Sequence, residues 1–202
     1  YSLDIKDWSL NDSFRQTLSK RSKRHFKENV ERFTDAFDVT ISPKVSDDDL
    51  QNIYQLYLNV YASNFEINTF KLPYKFFENV RLNENWDIIQ LRLKDDPKQI
   101  VGMVLAYRGE QEYSGVVVGL DYTLNRKYNV YRQAIYQLIH RAKTLEFNTV
   151  NFGYSAGIEK KKFGAVGMES CAYMQVKDNF KFEALMADSY GKEVKSEVAQ
   201  LN

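Results

Sequence analysis

Apolar residues recur along this chain with two periods, near 3.6 and 2, and the switches between them lay out the elements. Asn11 or Asp12 can cap a helix running to about Phe37, because Phe14, Leu18, Phe26, Val30, Phe33 and Phe37 fall at near-helical spacing. The other face of that helix is basic, with Arg15, Lys20, Arg21, Lys23, Arg24, Lys27 and Arg32. Val39 and Ile41 predict a strand over 38–42, which Pro43 ends. Asp48 or Asp49 caps a second helix with the apolar stripe Leu50, Ile53, Tyr54, Tyr57, Val60 and Tyr61. A polar loop over 62–72 follows, and Pro73 suits the first turn of a third helix to about Leu82. Three β-type segments come next, at 86–93, 100–108 and 114–122. Turns at Asp95-Asp96-Pro97 and Gly109-Glu110 make them an antiparallel meander. The strongest helix spans 129–145. A strand at 149–152, a short lysine-bearing helix and a strand at 169–176 complete the order. The stretch 180–186 fits either period, and the tail from about Lys192 is expected to be mobile.

Composition adds bounds. A chain of 202 residues is expected to form one domain with a real core: a basic helix over 1–37, a main body over 38–190 and a polar tail over 191–202. Fourteen tyrosines and thirteen phenylalanines point either to an aromatic-rich core or to a broad, partly polar cavity. A net charge of +1 argues against a polyanion-binding chain as a whole. The single cysteine, Cys171, precludes an intramolecular disulfide and suits a reducing, cytoplasmic setting. The longest apolar run, 100–107, is too short to span a bilayer, and no signal peptide is visible. The chain opens on Tyr1, which leaves an upstream domain open.

The segment 151–165, NFGYSAGIEKKKFGA, is the most informative. A strand, a small-residue turn and a helix N-terminus in succession are where α/β proteins place ligands. Lys160, Lys161 and Lys162 stand just past the turn, where an ammonium could meet an anion or a developing negative charge. Successive helical residues point about 100° apart, so the three cannot share one target, and a solvated face accounts for the remainder. Asp121-Tyr122 closes the third meander segment as a proton-handling pair or as a turn cap with a packed ring. Arg126 and Lys127 precede the strong helix, as phosphate-attracting cations or as solvated loop residues. His25, His140 and Cys171 are too few and too scattered for a metal site, so no metal is expected.

The element order, from the strand at 38–42 to the strand at 169–176, resembles the GNAT acyltransferase fold. Gly119-Leu120-Asp121-Tyr122, Gly153-Tyr154-Ser155-Ala156, Lys160 and Phe163-Gly164-Ala165 resemble the FemAB-like branch of that superfamily, which includes peptidoglycan-type and long-chain N-acyltransferases. The resemblance implies an α+β fold: a mixed, mostly antiparallel central sheet flanked by helices, here with an extra basic N-terminal helix. It implies direct attack of an amine on an acyl thioester, with acyl-CoA or an acyl carrier protein as donor. Catalytic roles fall on Asp121, Tyr122 and Lys160, with backbone amides of Leu120 to Tyr122 as the oxyanion site. Donor binding falls on Leu120, Arg126, Lys127, Asn129 and Tyr131, and substrate binding on Tyr154, Ser155 and Lys161. One departure stands out: the stretch 126–131 lacks the glycines that let amides close on a pyrophosphate. Aminoacyl-tRNA therefore stays open as a donor, and so does an inert binding module. The aromatic content favours a bulky or lipidic substrate, a sphingoid-type amine being one case. The basic first helix offers a contact for an anionic membrane surface on its inner face, a carrier protein or tRNA.

Overall fold

The computed structural model describes residues 1–9, 14–63, 70–169, 177–178, 180, 182–184 and 186–187. The expected caps Asn11 and Asp12, the loop residues 64–69, the strand at 170–176 with Cys171, and the tail lie outside them. The chain divides into two units, 1–168 and 169–202. In the second, the Phe182 amide donates to the Asp178 carbonyl in a helical stretch.

The first unit is built on a six-stranded sheet: β1 (Ser2–Asp4), β2 (Phe37–Ile41), β3 (Trp86–Leu93), β4 (Asp96–Arg108), β5 (Tyr113–Leu120) and β6 (Thr149–Asn151). Their spatial order is β1-β6-β5-β4-β3-β2. All pairs are antiparallel except β5 with β6. β4 starts earlier than its apolar run suggests, because Asp96 already pairs with Leu93 and the turn tightens onto Lys94-Asp95. β1 carries no readable period: it is three residues long and buries only Leu3.

Helices cover both faces. On one lie α4 (Asp47–Ser63) and α5 (Tyr74–Val80), burying Leu50, Ile53, Leu56 and Phe77 against Ile88, Met103, Leu105 and Val117. α4 begins with three aspartates at its positive dipole end, and the Ser46 hydroxyl accepts the Asp49 amide. On the other lies α7 (Val130–Thr144), whose stripe Val130, Ala134, Ile135, Leu138, Ile139 and Ala142 is buried as its spacing predicts. The N-terminal helix packs against the same core through Phe14, Leu18, Phe26 and Val30, but it is not continuous. It breaks into α1 (Phe14–Thr17), α2 (Lys20–Phe26), a π-turn (Lys27–Glu31) and α3 (Arg32–Thr34), with Ser19 capping α2. The Val30 carbonyl in the π-turn accepts from Gln133 of α7 at 2.6 Å. Phe37, expected to end the helix, opens β2 instead.

Asp87 of β3 is fully buried and accepts from Arg108, Arg141 and Tyr113, which ties β3, β4, β5 and α7 together at one end of the sheet. Burial alone would raise its carboxyl, but those hydrogen bonds outweigh it and hold the pKa below the ordinary value. The sheet opens at its other end.

Candidate active site

β5 pairs with β4 along its whole length but with β6 only at Tyr113 and Ser114. From Gly115 to Leu120 its second edge is open. A bulge shapes that edge: Leu105 opposes Val117 and Ala106 opposes Gly115, which leaves Val116 as the extra residue. The bulge reverses the facing of the strand. A Cβ on Gly115 would lie 2.6 Å from Leu138 of α7, whereas one on Gly119 would lie 2.8 Å from the Leu56 backbone of α4. Each glycine lets a helix press onto one face.

The Asp121 amide donates to the Val101 carbonyl at 2.9 Å, and antiparallel ladder bonds alternate along a strand. The Val118 and Leu120 amides therefore point away from β4, into the opening. The Leu120 carbonyl is covered by the Asn59 side-chain amide at 3.2 Å. Of the amides of Leu120 to Tyr122, expected to form an oxyanion site, that of Asp121 is spent on β4.

The facing wall comes from the chain after β6. Gly153 has φ +72, and Ala156 holds the left-handed conformation at φ 54 just before α8 (Gly157–Lys162). A non-glycine there carries strain of about 1–2 kcal/mol. The three lysines diverge. Lys160 is 4% exposed, and its ammonium reaches back to donate to the Phe152 carbonyl at 2.5 Å. Lys161 is exposed beside the Tyr1 ring. Lys162 pairs with Glu159 at 2.6 Å.

Between β5 and α7 the chain forms a helix that its sequence did not announce, α6 (Tyr122–Tyr128). Asp121 is its cap, with Oδ1 accepting the Thr123 and Leu124 amides at 2.9 and 3.1 Å. Arg126 and Lys127 precede the central helix, exposed on the last turn of α6 rather than in a loop. That helix starts at Asn129, which adopts φ 55, a conformation open to asparagine as well as glycine. The Asn125 side-chain oxygen accepts the Tyr131 amide at 2.8 Å, and Arg132 binds both Asn129 and Glu159. Glu159 also faces His25 of α2 at 3.9 Å. Burial would raise the Glu159 carboxyl, but bonds from Arg132 and Lys162 hold it below its ordinary value. Burial, with Lys162 and Arg132 nearby, lowers His25.

A cavity of about 740 Å³ fills the opening. It takes walls from both helical layers: Ala134, Ile135 and Leu138 of α7 on one side, Tyr57, Tyr61 and Phe76 of α4 and α5 on the other. It thus passes through the sheet between β5 and β6. The α4/α5 half is aromatic, with Trp86 packed against Phe76 at 5.8 Å. Its rim at Leu72 is fixed by Tyr57, whose hydroxyl accepts the Leu72 amide at 2.8 Å. Of the residues singled out from sequence, Leu120, Tyr122, Tyr131, Tyr154, Ser155 and Lys160 line this cavity. Asp121, Arg126, Lys127, Asn129 and Lys161 stand outside its walls. Burial pushes the Tyr122 phenol up, against a hydrogen bond with Ser63, so it stays protonated near neutrality. Sequence reasoning missed Asn59, Asn125 and Arg132 and the aromatic half. Only Asn125 left a local trace, in the cap-like Asp121-Tyr122-Thr123-Leu124-Asn125. Among the described residues, no group of three or more His, Cys, Asp or Glu could hold a metal ion. No helix there is long and apolar enough to cross a membrane.

A sheet splayed between two parallel strands, bulged beside the gap and crossed by a cavity, has relatives. The family model described as an acetyltransferase (GNAT) domain matches residues 13–161. This chain belongs to the GNAT acetyltransferase family. No curated protein matches it in sequence. Among solved structures, this GNAT domain is similar to a predicted acetyltransferase with acetyl-CoA from Clostridium acetobutylicum. The two share 10% identity over 69% of this chain and 96% of that one, with a TM-score of 0.53. The aminoglycoside N-acetyltransferase AAC(6')-Iy in complex with CoA is similar at 10% identity over 70% and 95%, with a TM-score of 0.51. L-PGS from Bacillus licheniformis is similar at 15% identity over 77% of this chain and 46% of that one, also at 0.51. Likeness at these identities bears on the fold, and the mixed six-stranded sheet flanked by helices is the GNAT fold.

Proposed function

We propose that this chain transfers an acyl group from acyl-CoA to an amine on an apolar body, by direct attack and without an acyl-enzyme. The observation that carries this reading is the cavity through the sheet, because it lets a donor on the α7 face meet an acceptor on the α4/α5 face. In this reading the donor arm pairs with the Leu120 amide, and the thioester carbonyl lies against the Val118 amide, which stabilises the oxyanion. The Asn59 amide covers the Leu120 carbonyl, which would otherwise repel that charge. As the C–N bond forms and the C–S bond breaks, Tyr122, protonated at the gap, gives the leaving thiolate its proton and regains the one that the amine nitrogen sheds. Asp121 orients Tyr122 by capping α6, and Lys160 adds positive charge at the β6 wall. The donor phosphates lie toward the start of α7, near Asn129, Tyr131 and Arg132.

The aromatic half suits an aryl, alkyl or lipidic amine. The FemAB-like placement within the family is supported by Gly153, Ser155, Ala156, Lys160 and Phe163-Gly164-Ala165. Thiol release from acetyl-CoA, with phenethylamine, dodecylamine or a polycationic aminoglycoside as acceptor, tests the reading. Faster turnover with the first two is expected, together with thermal stabilisation by acetyl-CoA alone. Stabilisation by aminoacyl-tRNA but not by acetyl-CoA would replace the donor. Stabilisation by anionic lipid alone would make the chain a binding module.

A further inference from the structure

Resting on the donor reading above, we infer that Leu138, packed on the bare backbone of Gly115, is the stop that limits the donor's acyl chain to short groups such as acetyl or propionyl. The donor phosphates lie at the start of α7, beside the end of β5. The arm of the donor then runs along the open edge of β5, past Leu120 and Val118, toward Gly115. Everything beyond the thioester carbonyl continues in that direction and meets the apex of the opening.

The apex is closed on three sides. Ser114 and Asn151 form the last β5–β6 pair. A Cβ on Gly153 would lie 3.9 Å from the Gly115 carbonyl oxygen, so the two walls converge there. On the α7 face, Leu138 is 3% exposed, yet it lines the cavity, and its Cδ2 stands 2.6 Å from where a Gly115 Cβ would be. Leu138 lies eight residues beyond Val130, about 12 Å along the helix, so it faces the far end of the donor rather than its phosphates. Ala134, Ile135 and Phe152, which line the cavity with it, are apolar, and the Lys160 ammonium in that lining is engaged by the Phe152 carbonyl. An apolar dead end at the tip of the donor path is a site for an alkyl chain, and its floor sets the length. Glycine at 115 lets Leu138 come down onto the strand, since any side chain there would meet it.

Calorimetry of the whole chain with CoA, acetyl-CoA, butyryl-CoA and hexanoyl-CoA tests this without needing an acceptor. In the unaltered protein, hexanoyl-CoA should bind at least tenfold more weakly than acetyl-CoA. Leu138→Ala should reverse the order, with each newly buried methylene worth about fourfold in affinity. Gly115→Ala should push Leu138 into the chamber and weaken butyryl-CoA relative to acetyl-CoA. Free CoA, which has no acyl group, should bind all three proteins alike. If Leu138→Ala does not fold, Leu138→Val carries the test through a gain confined to butyryl-CoA. Equal binding of hexanoyl- and acetyl-CoA by the unaltered protein, or an unchanged length profile in the Leu138 variant, overturns the assignment while leaving the donor reading intact. Failure of CoA and every acyl-CoA to bind removes the donor reading, and this one with it.

Discussion

The Lys160 ammonium and the Phe152 carbonyl meet at 2.5 Å, so a buried cation on α8 holds the end of β6 at the mouth of the opening. The contact explains why Lys160 differs from its neighbours. Lys161 is exposed, and Lys162 is half-exposed on Glu159. Lys160→Met keeps the apolar stem and removes the donor, which leaves the Phe152 carbonyl without it. The expected loss of stability is about 1–3 kcal/mol in urea unfolding. Lys162→Ala should cost no more than about 1 kcal/mol, as partly exposed pairs do. If the ammonium also faces the reacting carbonyl, turnover per folded Lys160→Met molecule falls on the order of 10²-fold. Equal, small effects in Lys160→Met and Lys162→Ala would mean that the Phe152 contact does not hold the strand end.

Asp121 and Tyr122 are adjacent but separable. Asp121→Ala deletes the cap of α6 and should cost about 0.5–2 kcal/mol, whereas Asp121→Asn, an equally good cap, should cost little. Tyr122→Phe should leave stability nearly unchanged and lower kcat more than it raises KM, by roughly 10²-fold or more if the phenol is the acid. Should Asp121→Asn stay stable yet lose turnover as Tyr122→Phe does, Asp121 handles a proton itself and the cap is not its whole role.

How much of this was legible follows from the range of each interaction. The α7 stripe, the meander and the turn at 153–156 are local: period, turn residues and a positive-φ glycine are all within a few positions. The Lys160 contact spans eight residues and was legible as a direction, because Lys160 sits one helical turn past the turn at 153–157. The broken N-terminal helix was not, because Phe14, Leu18, Phe26 and Val30 report which face is buried and not whether the backbone between them is continuous. α6 was missed because Tyr122 reads as the last strand residue, although Asp121 already starts a cap. The aromatic half of the cavity was illegible for a different reason. Tyr57, Tyr61, Phe76 and Trp86 sit at ordinary core spacing, and only the divergence of β5 from β6 leaves them facing a void.

Acid should destabilise the fold in two stages. His25 is held below its ordinary 6.5, by burial first and then by Lys162 and Arg132. His140 is lowered by burial. Glu159 and Asp87 are held below 4.5 and 3.8, because hydrogen bonds from their arginine, lysine and tyrosine partners outweigh burial. In every case the unfolded chain binds more protons across the window, so unfolding free energy falls as pH falls. The histidine contribution is complete above pH 6.5 and is lost as pH drops toward their folded values. The carboxylate contribution is complete above 4.5 and is lost below it. Urea midpoints from pH 8 to pH 3 should show both declines (pH values roughly chosen to bracket the ordinary values). His25→Gln should flatten the upper one and leave the lower. An upper decline unchanged in that variant would assign it to His140.

The two glycines of β5 should respond unequally to the same methyl group. At Gly119 an added Cβ meets the Leu56 backbone carbon at 2.8 Å, an atom that can move only if α4 moves. At Gly115 it meets the tip of the Leu138 side chain, which can turn aside. Gly119→Ala should therefore cost about 1–3 kcal/mol, as overpacking does, and Gly115→Ala less. The effect on chemistry should differ too. α4 also carries Asn59, one turn beyond Leu56, and Asn59 holds the Leu120 carbonyl at 3.2 Å. Lifting α4 breaks that bond and turns an uncovered carbonyl toward the gap, so Gly119→Ala should lose turnover even at temperatures where it is fully folded. Urea unfolding and turnover per folded molecule, measured on both variants, decide the matter. Equal stability losses would mean that α4 rides on β5 more loosely than the Gly119–Leu56 contact implies, and the link from helix packing to the open edge of β5 would fail with it.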